Sequence, residues 1–384
     1  MLSLQEFDIL NFLFKNQDKE YTQEEISNNT KISLEKVEEI LEKLKNNEII
    51  DKDFNITDKG FVTLEPYKVD NAIIMAAGMS SRFAPLSYES PKGLLNVKGE
   101  RLIEREILQL KEAGIEDITL VVGYMKEKMF YLAEKFGVDI VVNEDYHRFN
   151  NTSSLILVTD RLKNTYICSS DNYFPKNPFE KYVYRAYYSA VYQKGETDEY
   201  CIDLDENDRI KGVTIGGKDA WIMLGHVFFN RDFSSKFSKL LKDEYHEQIV
   251  RDNLWETFYI RHLKELDNMY IRRYDIEDIK EFDSLEELRA FDERYISNSG
   301  SEVFKNICNI LKCNEEEIKG IKPIKNKMTS TFFEFNYNGV HYVYRHHNKN
   351  SDFDSKKYIE ELGLDENYVH NDEESGWTIY KYKN

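Results

Sequence analysis

"IIMAAGMSSRFAPLSYESPKGLL", residues Ile73 to Leu95, decides how the rest of the chain is read. An apolar run ends in Ala76, Ala77 and Gly78, whose minimal side chains let backbone N–H groups come close to an anion. Ser81 continues the loop, and Arg82 adds a planar fork suited to phosphate oxygens. Lys92 follows Pro91, which stiffens the segment and removes a competing donor. A flexible linker would not need the apolar approach, and a plain strand-to-helix turn would not need two cations. A tight turn with incidental surface cations is the bland alternative. The spacing matches neither G-x-G-x-x-G nor the P-loop, so dinucleotide and Walker-type readings lose support.

Outward from this loop, residues 71–295 alternate apolar runs with amphipathic helices. "NAIIMAAG", "DITLVVGY", "VDIVVNE" and "NTYICSSD" read as buried strands. The spacing predicts a helix over Leu102 to Glu112 with Ile103, Ile107 and Leu110 inward and Gly114 as C-cap. Such alternation predicts an α/β fold, a Rossmann-like, mostly parallel sheet covered on both faces. Ligands in such sheets sit at the carboxyl ends of the strands, where the Ala76–Arg82 loop leaves.

Residues 1–66 read as a small helical unit with a β-ribbon. Phe7, Leu10, Leu13 and Phe14 share helical spacing, Thr22 and Glu25 form a capping box, and Ser33 opens a third helix. "EIIDKDFNIT" is expected as two short strands around a polar turn. This order resembles a winged helix-turn-helix domain. Met1 to Asp70 holds nine lysines against sixteen acidic residues, a balance of −7, and no arginine precedes Arg82. The would-be recognition helix carries Glu35, Glu38, Glu39 and Glu42 against Lys36 and Lys43. Phosphate and base contacts favour Lys and Arg, so the reading goes against nucleic acid and toward protein contact or dimerisation.

Residues 296–384 begin with a helix around Val303 to Leu311, followed by strand-like pieces in which "YNG" signals a hairpin. "MTSTFFEFNYNGVHYVYRHHNKN" resembles the opening strands of bacterial choline and ethanolamine kinases, with Arg345 as the implied nucleotide-contacting cation. The catalytic H-x-D and Asn would lie beyond Asn384. "HND" at His370 to Asp372 is a decoy expected in a turn, with Trp377 where Asn is needed. Kinase activity is therefore not expected, and the segment reads as a truncated α+β lobe, either part of a longer bifunctional protein or a relic used for contacts.

Composition narrows the function classes. With 41% hydrophobic and 32% charged residues the 384-residue chain is globular and large enough for two or three domains. A net charge of −18 argues against a general nucleic-acid or membrane-surface binder. It also requires a phosphate-rich ligand to be met by a local cationic patch or a metal ion. Cys168, Cys201, Cys308 and Cys313 form no metal-type spacing and no disulfide framework. No leader and no apolar run of membrane length appears, so the expected location is the cytoplasm. A homo-oligomeric state is compatible with this reading.

"MAAGMSSRF…SPKGLLNVKGERLIER" resembles the signature of nucleotidyltransferases that join a nucleoside triphosphate to a phosphorylated small molecule. With "GYMKEK", "NNTSSL", "SSDNY" and "LWE" it is similar to bacterial choline-phosphate cytidylyltransferases over about residues 71–295. The resemblance implies attack by the phosphate of phosphocholine, or of phosphoethanolamine or an aminoethylphosphonate, on the α-phosphorus of CTP. No activated nucleophile is needed, so positioning and charge neutralisation carry the rate. It implies Arg82 and Lys92 as phosphate clamps and the Ala76–Ser81 backbone as cradle. Asp171 and Glu256 are then the Mg²⁺ ligands, with Asp252, four residues before Glu256, as the competing choice. Gly123, Tyr124, Asn151 and Ser154 are expected at the nucleotide. Tyr200 with Glu199, and less directly Tyr192 and Trp221, are expected at the trimethylammonium head. The rival readings are a sugar-1-phosphate nucleotidylyltransferase and, from another class, a metabolite-sensing winged-helix regulator.

Overall fold

The computed structural model describes residues 1–327, 330–347, 363–364, 368–372 and 374–382. Three helices open the chain, Leu4–Lys15, Gln23–Thr30 and Leu34–Asn46. Ser3 with Glu6 and Thr22 with Glu25 close capping boxes at the first two. Instead of two wing strands, "EIIDKDFNIT" makes a single antiparallel bridge, Ile50 to Ile56. The polar turn consumes the intervening residues, because the Asp51 carboxylate accepts from the amides of Asp53 and Asn55.

Sixteen strands follow in the described residues: β1 Asn71–Ala76, β2 Asn96–Val97, β3 Glu100–Arg101, β4 Ile118–Val122, β5 Asp139–Val142, β6 Thr165–Ser169, β7 Asn172–Tyr173, β8 Tyr187–Leu204, β9 Ile210–Phe229, β10 Tyr270–Tyr274, β11 Lys280–Glu281, β12 Lys319–Lys327, β13 Ser330–Tyr337, β14 Val340–His347, β15 His370–Asp372 and β16 Trp377–Lys381. The central sheet has the order β10-β8-β9-β6-β1-β4-β5. Only β9 runs against its neighbours. Alternate residues of β1 serve opposite faces. Ala72 and Ile74 join Ile103, Ile107 and Leu110 of the helix Leu102–Glu112. Ile73 joins Phe233, Phe237 and Leu241 of the helix Arg231–Glu244. With both faces covered, β4 is buried along its whole length, as its unbroken apolar run requires.

The C-terminal strands make a five-stranded sheet of order β12-β13-β14-β16-β15. Asn338 and Gly339, both at positive φ, form the two-residue hairpin between β13 and β14. "HND" is not in a turn: its three residues are β15, paired with Trp377 to Ile379. Arg345 is buried on β14 over the Phe332 ring. The expected boundary at residue 296 does not coincide with a break in packing. Phe83, Leu86, Leu95 and Leu102 of the signature region share one apolar core with Phe304, Phe333, Tyr344 and Ile379. The Glu89 carboxylate also accepts from the amides of Glu302 and Val303, at the start of the helix Glu302–Leu311. All four cysteines are free thiols. Among the described residues no helix is long and apolar enough to cross a membrane.

Candidate active site

Register assembles the site. Met75 of β1 pairs with Ser169 of β6, and Ala76 with Val122 of β4, whose own Val122 pairs with Val142 of β5. Because these strands are parallel, the segments that follow them, 77–82, 123–124, 143–154 and 170–171, leave the same sheet edge side by side. A cleft of about 430 Å³ lies among them. Ala76, Ala77, Gly78, Ser81, Lys92, Asn151, Ser154 and Asp171 line it, which brings eight of the expected residues together. The amides of Gly78, Met79 and Ser80 donate to no protein acceptor among the described residues, so the loop presents a row of open donors.

Lys92 and Asp171 form the floor. Lys92 is only 6% exposed, and its Nζ lies 2.9 Å from Asp171 Oδ2 and 5.3 Å from the centre of the Phe83 ring. Gly93 permits this approach, since a Cβ there would stand 3.0 Å from Ser170. The Ser169 hydroxyl donates to Asp171 Oδ1 at 2.5 Å. Burial alone would raise the Asp171 carboxyl, but the Lys92 ammonium and the Ser169 hydroxyl hold it below its ordinary range.

Three expectations shift. Arg82 does not line the cleft: its side chain is 71% exposed and pairs with Asp283 at 2.9 Å. Gly123 and Tyr124 buttress the cleft from behind, because the Tyr124 amide donates to the Ala77 carbonyl and a Cβ at Gly123 would strike Tyr146 and Ala77. Glu256 does not itself line the cleft but adjoins it, accepting from the cleft residue Asn151 through Nδ2 at 3.4 Å and from the Tyr188 hydroxyl at 3.3 Å. Burial pushes its carboxyl up to about 7. Asp252 does not share a helical face with Glu256, since the helix Gln248–Asp252 ends before Trp255–Arg261 begins. It is exposed and accepts from Gln248.

The carboxylates that feel the charge of Asp171 are Glu281 and the buried Glu106, and Asp283 reaches the lysine–aspartate pair from the Lys92 side. Glu281 of β11 pairs with Asn172 of β7, directly after Asp171. Burial, then the charge of Asp171, raises Glu281 to about 8. Asp283 Oδ1 lies 3.7 Å from Lys92. Glu199 adjoins this group, raised by burial and then by Asp283, with Arg82 opposing. The signal for Glu281 and Asp283 is "KEFD", acidic side chains two apart and therefore on one side of an extended chain. Tyr146, His147, Phe149 and Asn143 of the cleft were also not expected. Asn143 donates to the hydroxyls of Ser153 and Ser154 and so orders the loop.

The aromatic side is built around Tyr188, which stacks on Trp255 at 5.8 Å. The Tyr200 hydroxyl lies 3.3 Å from Thr257. Tyr192 and Trp221, expected with Tyr200, already complete each other: their rings meet edge-on at 5.5 Å, and the Arg273 guanidinium covers Trp221 at 5.1 Å.

Residues 72–251 match the family described as MobA-like NTP transferase domain, and residues 11–77 the one described as wHTH-PRTase associated. A choline-phosphate cytidylyltransferase of Streptococcus pneumoniae is 35% identical over 222 residues, 58% of this chain and 96% of that protein. A 2-aminoethylphosphonate cytidylyltransferase of Lancefieldella rimae is 36% identical over 230 residues, 59% of this chain and 93% of that protein. The solved CTP:phosphocholine cytidylyltransferase from Streptococcus pneumoniae superposes with a TM-score of 0.56 at 34% identity, covering 58% of this chain and 97% of that one. With its bare loop, its buried lysine–aspartate pair and these relatives, the chain belongs to the nucleotidyltransferase family that contains the choline-phosphate and 2-aminoethylphosphonate cytidylyltransferases.

Proposed function

We infer that the protein transfers CMP from CTP to phosphocholine or a near relative such as phosphoethanolamine or 2-aminoethylphosphonate. An oxygen of the acceptor's phosphate or phosphonate attacks the α-phosphorus, that P–O bond forms, the α–β bridging bond breaks, and pyrophosphate departs with the released charge. The observation that carries this reading is the contact of Lys92 with Asp171 on the floor of a cleft whose other wall is a loop of open amides.

The roles follow from position. Open amides from Gly78 to Ser80 cradle the triphosphate, and Lys92 neutralises charge where the two phosphates meet. Arg82, exposed at the rim, exchanges Asp283 for phosphate oxygens. Asn151 and Ser154 address the nucleoside. The carboxylates fit Mg²⁺, a hard cation usually held by one or two carboxylates together with substrate phosphates. Among the described residues no group of three or more His, Cys, Asp or Glu gathers at one point, so Asp171 with at most one of Glu281 and Asp283 would hold the ion with the nucleotide's help. When bound, Mg²⁺ would neutralise charge developing on the phosphate oxygens. Glu281, whose carboxyl is raised by burial and then by its acidic neighbours, Asp171 first, is the group such a cation would relieve most.

An acceptor ammonium would meet the faces of Tyr188 and Tyr200, with Glu256 beside Tyr188 as its anionic partner. The test is pyrophosphate release with Mg²⁺, each of four nucleoside triphosphates, and phosphocholine, phosphoethanolamine, 2-aminoethylphosphonate and sugar phosphates in turn. Turnover is expected with CTP and an amino-alcohol phosphate or aminophosphonate. Release with sugar phosphates alone would overturn the acceptor assignment, and no release with any pair would overturn the reaction.

A further inference from the structure

Away from the cleft, a second cavity of about 390 Å³ opens where the helical unit meets the central sheet. It shares no lining residue with the nucleotide cleft. The helix Leu4–Lys15 supplies one wall with Asp8, Asn11 and Lys15, and the segment before β8 together with β10 supplies the other with Glu180, Arg185 and Arg272. The two units are firmly joined around it. Phe7 meets Tyr184 at 5.4 Å, Tyr67 stacks on Tyr184 at 5.5 Å, and the Tyr184 hydroxyl donates to the Leu2 carbonyl. The cavity is therefore a preformed hollow between two fixed walls, a common place for small-molecule sites.

Three of its charges are already matched. Lys15 and Arg272 close on Glu180 at 2.5 and 2.8 Å. Asp8, Asn11 and Arg185 are not matched. Asn11 is 7% exposed and its Oδ1 has no protein donor among the described residues. An unsatisfied buried oxygen of that kind is costly to leave without a donor. Neither the Asp8 carboxylate nor the Arg185 guanidinium makes a hydrogen bond or an ion pair among the described residues. Arg185 lies flat on Tyr270, 3.4 Å from the ring centre, which leaves its edge N–H groups unused. Burial raises the Asp8 carboxyl, and the charge of Arg185 is the largest opposing influence, so the two groups sense each other across the cavity. Acceptors thus stand on the helix wall and a guanidinium on the sheet wall.

We propose that this cavity binds a small zwitterion, its ammonium on Asp8 and Asn11 and its anionic oxygen group, carboxylate, phosphate or phosphonate, on Arg185. The site is independent of the catalytic reading. Such a ligand would bridge the winged-helix unit and the sheet, so binding should stabilise the folded chain by mass action.

The test uses the full chain carrying Lys92→Ala and no nucleotide, titrated calorimetrically with β-alanine, 2-aminoethylphosphonate and phosphoethanolamine, with ethylamine and methylphosphonate as singly charged controls. Far-UV circular dichroism and Tm of each variant establish folding. At least one zwitterion is expected to bind at one equivalent and raise Tm, with neither control doing so. The preferred member of the three identifies the anionic group. Asp8→Asn and Arg185→Ala are each expected to weaken that binding at least about tenfold, some 1.4 kcal/mol, while Tyr200→Ala leaves it unchanged. The proposal fails if no zwitterion binds at millimolar concentration. It fails equally if binding survives both Asp8→Asn and Arg185→Ala, or is lost only with Tyr200→Ala, which would place it in the catalytic cleft.

Discussion

The two halves of the central sheet carry different kinds of carboxylate. On the β1, β4, β5 and β6 side, Asp171 is half-buried but matched by Lys92 and Ser169, and it stays ionised. On the β8, β9 and β10 side, Glu256 is half-buried with the Asn151 amide and the Tyr188 phenol as side-chain partners and no cation, and burial pushes its carboxyl up to about 7. The same burial produces an anchored charge in one place and a proton-holding acid in the other. A phosphate-binding floor needs the first arrangement, because the cation must stay where the polyphosphate arrives. A pocket for a quaternary or primary ammonium tolerates the second, because the ligand itself brings the missing positive charge.

The contrast can be broken most decisively at the floor. Asp171→Ala and Lys92→Ala should each lower kcat/KM about 10²–10³-fold in the pyrophosphate assay, the scale of losing a preorganised charge at the reacting centre. Lys92→Ala should also lower Tm, since it leaves a buried carboxylate without its partner. Glu281→Gln should cost roughly 10–100-fold and raise the Mg²⁺ concentration for half activity, whereas Glu256→Gln should leave that concentration unchanged. The reverse pattern would return Glu256 to the metal. Next in size, Tyr200→Ala should raise KM for phosphocholine about 30-fold, equivalent to a desolvated cation–π contact near 2 kcal/mol, with KM for CTP little altered. Tyr192→Ala, at a ring already used by Trp221, should change neither constant by more than about twofold.

Glu256 also leaves a mark on stability. Its folded carboxyl is raised from 4.5 to about 7, so between those values the native chain binds more protons than the unfolded one. Stability therefore falls as pH rises through this window. Denaturant midpoints measured from pH 5 to pH 8 should fall less steeply in Glu256→Gln than in the parent chain, and an unchanged slope would show that this carboxyl titrates normally.

What could be read in advance follows the same division. Strands β1, β4, β5 and β6 announce themselves as continuous apolar runs, and each loop that leaves them falls next to its own strand in sequence. Ala76 to Ser81, Lys92, Asn151, Ser154 and Asp171 were therefore legible. The second acidic contribution was not, because Glu281 reaches Asp171 only through the two-residue ladder of β7 with β11, more than a hundred positions apart. Asp252 competed with the favoured Glu256 at a spacing of four until the helix broke between them. Tyr200 was expected ahead of Tyr192 and Trp221, and what occupies the latter pair, their mutual edge contact and Arg273 arriving from β10, comes from distant strands.

The strand-and-helix alternation and the anion-binding loop were readable from residues alone, because they rest on local spacing and on side chains that act within a few residues of their own strand, whereas the reaction class came from the family resemblance that this loop carries. Three features needed the folded chain: the approach of Glu281 to Asp171, the core that the C-terminal sheet shares with the signature segment, and the hollow with unmatched Asp8, Asn11 and Arg185 under the first helix. Those features come from long-range packing and from charges felt through a buried interior, and neither leaves a periodic trace along the chain.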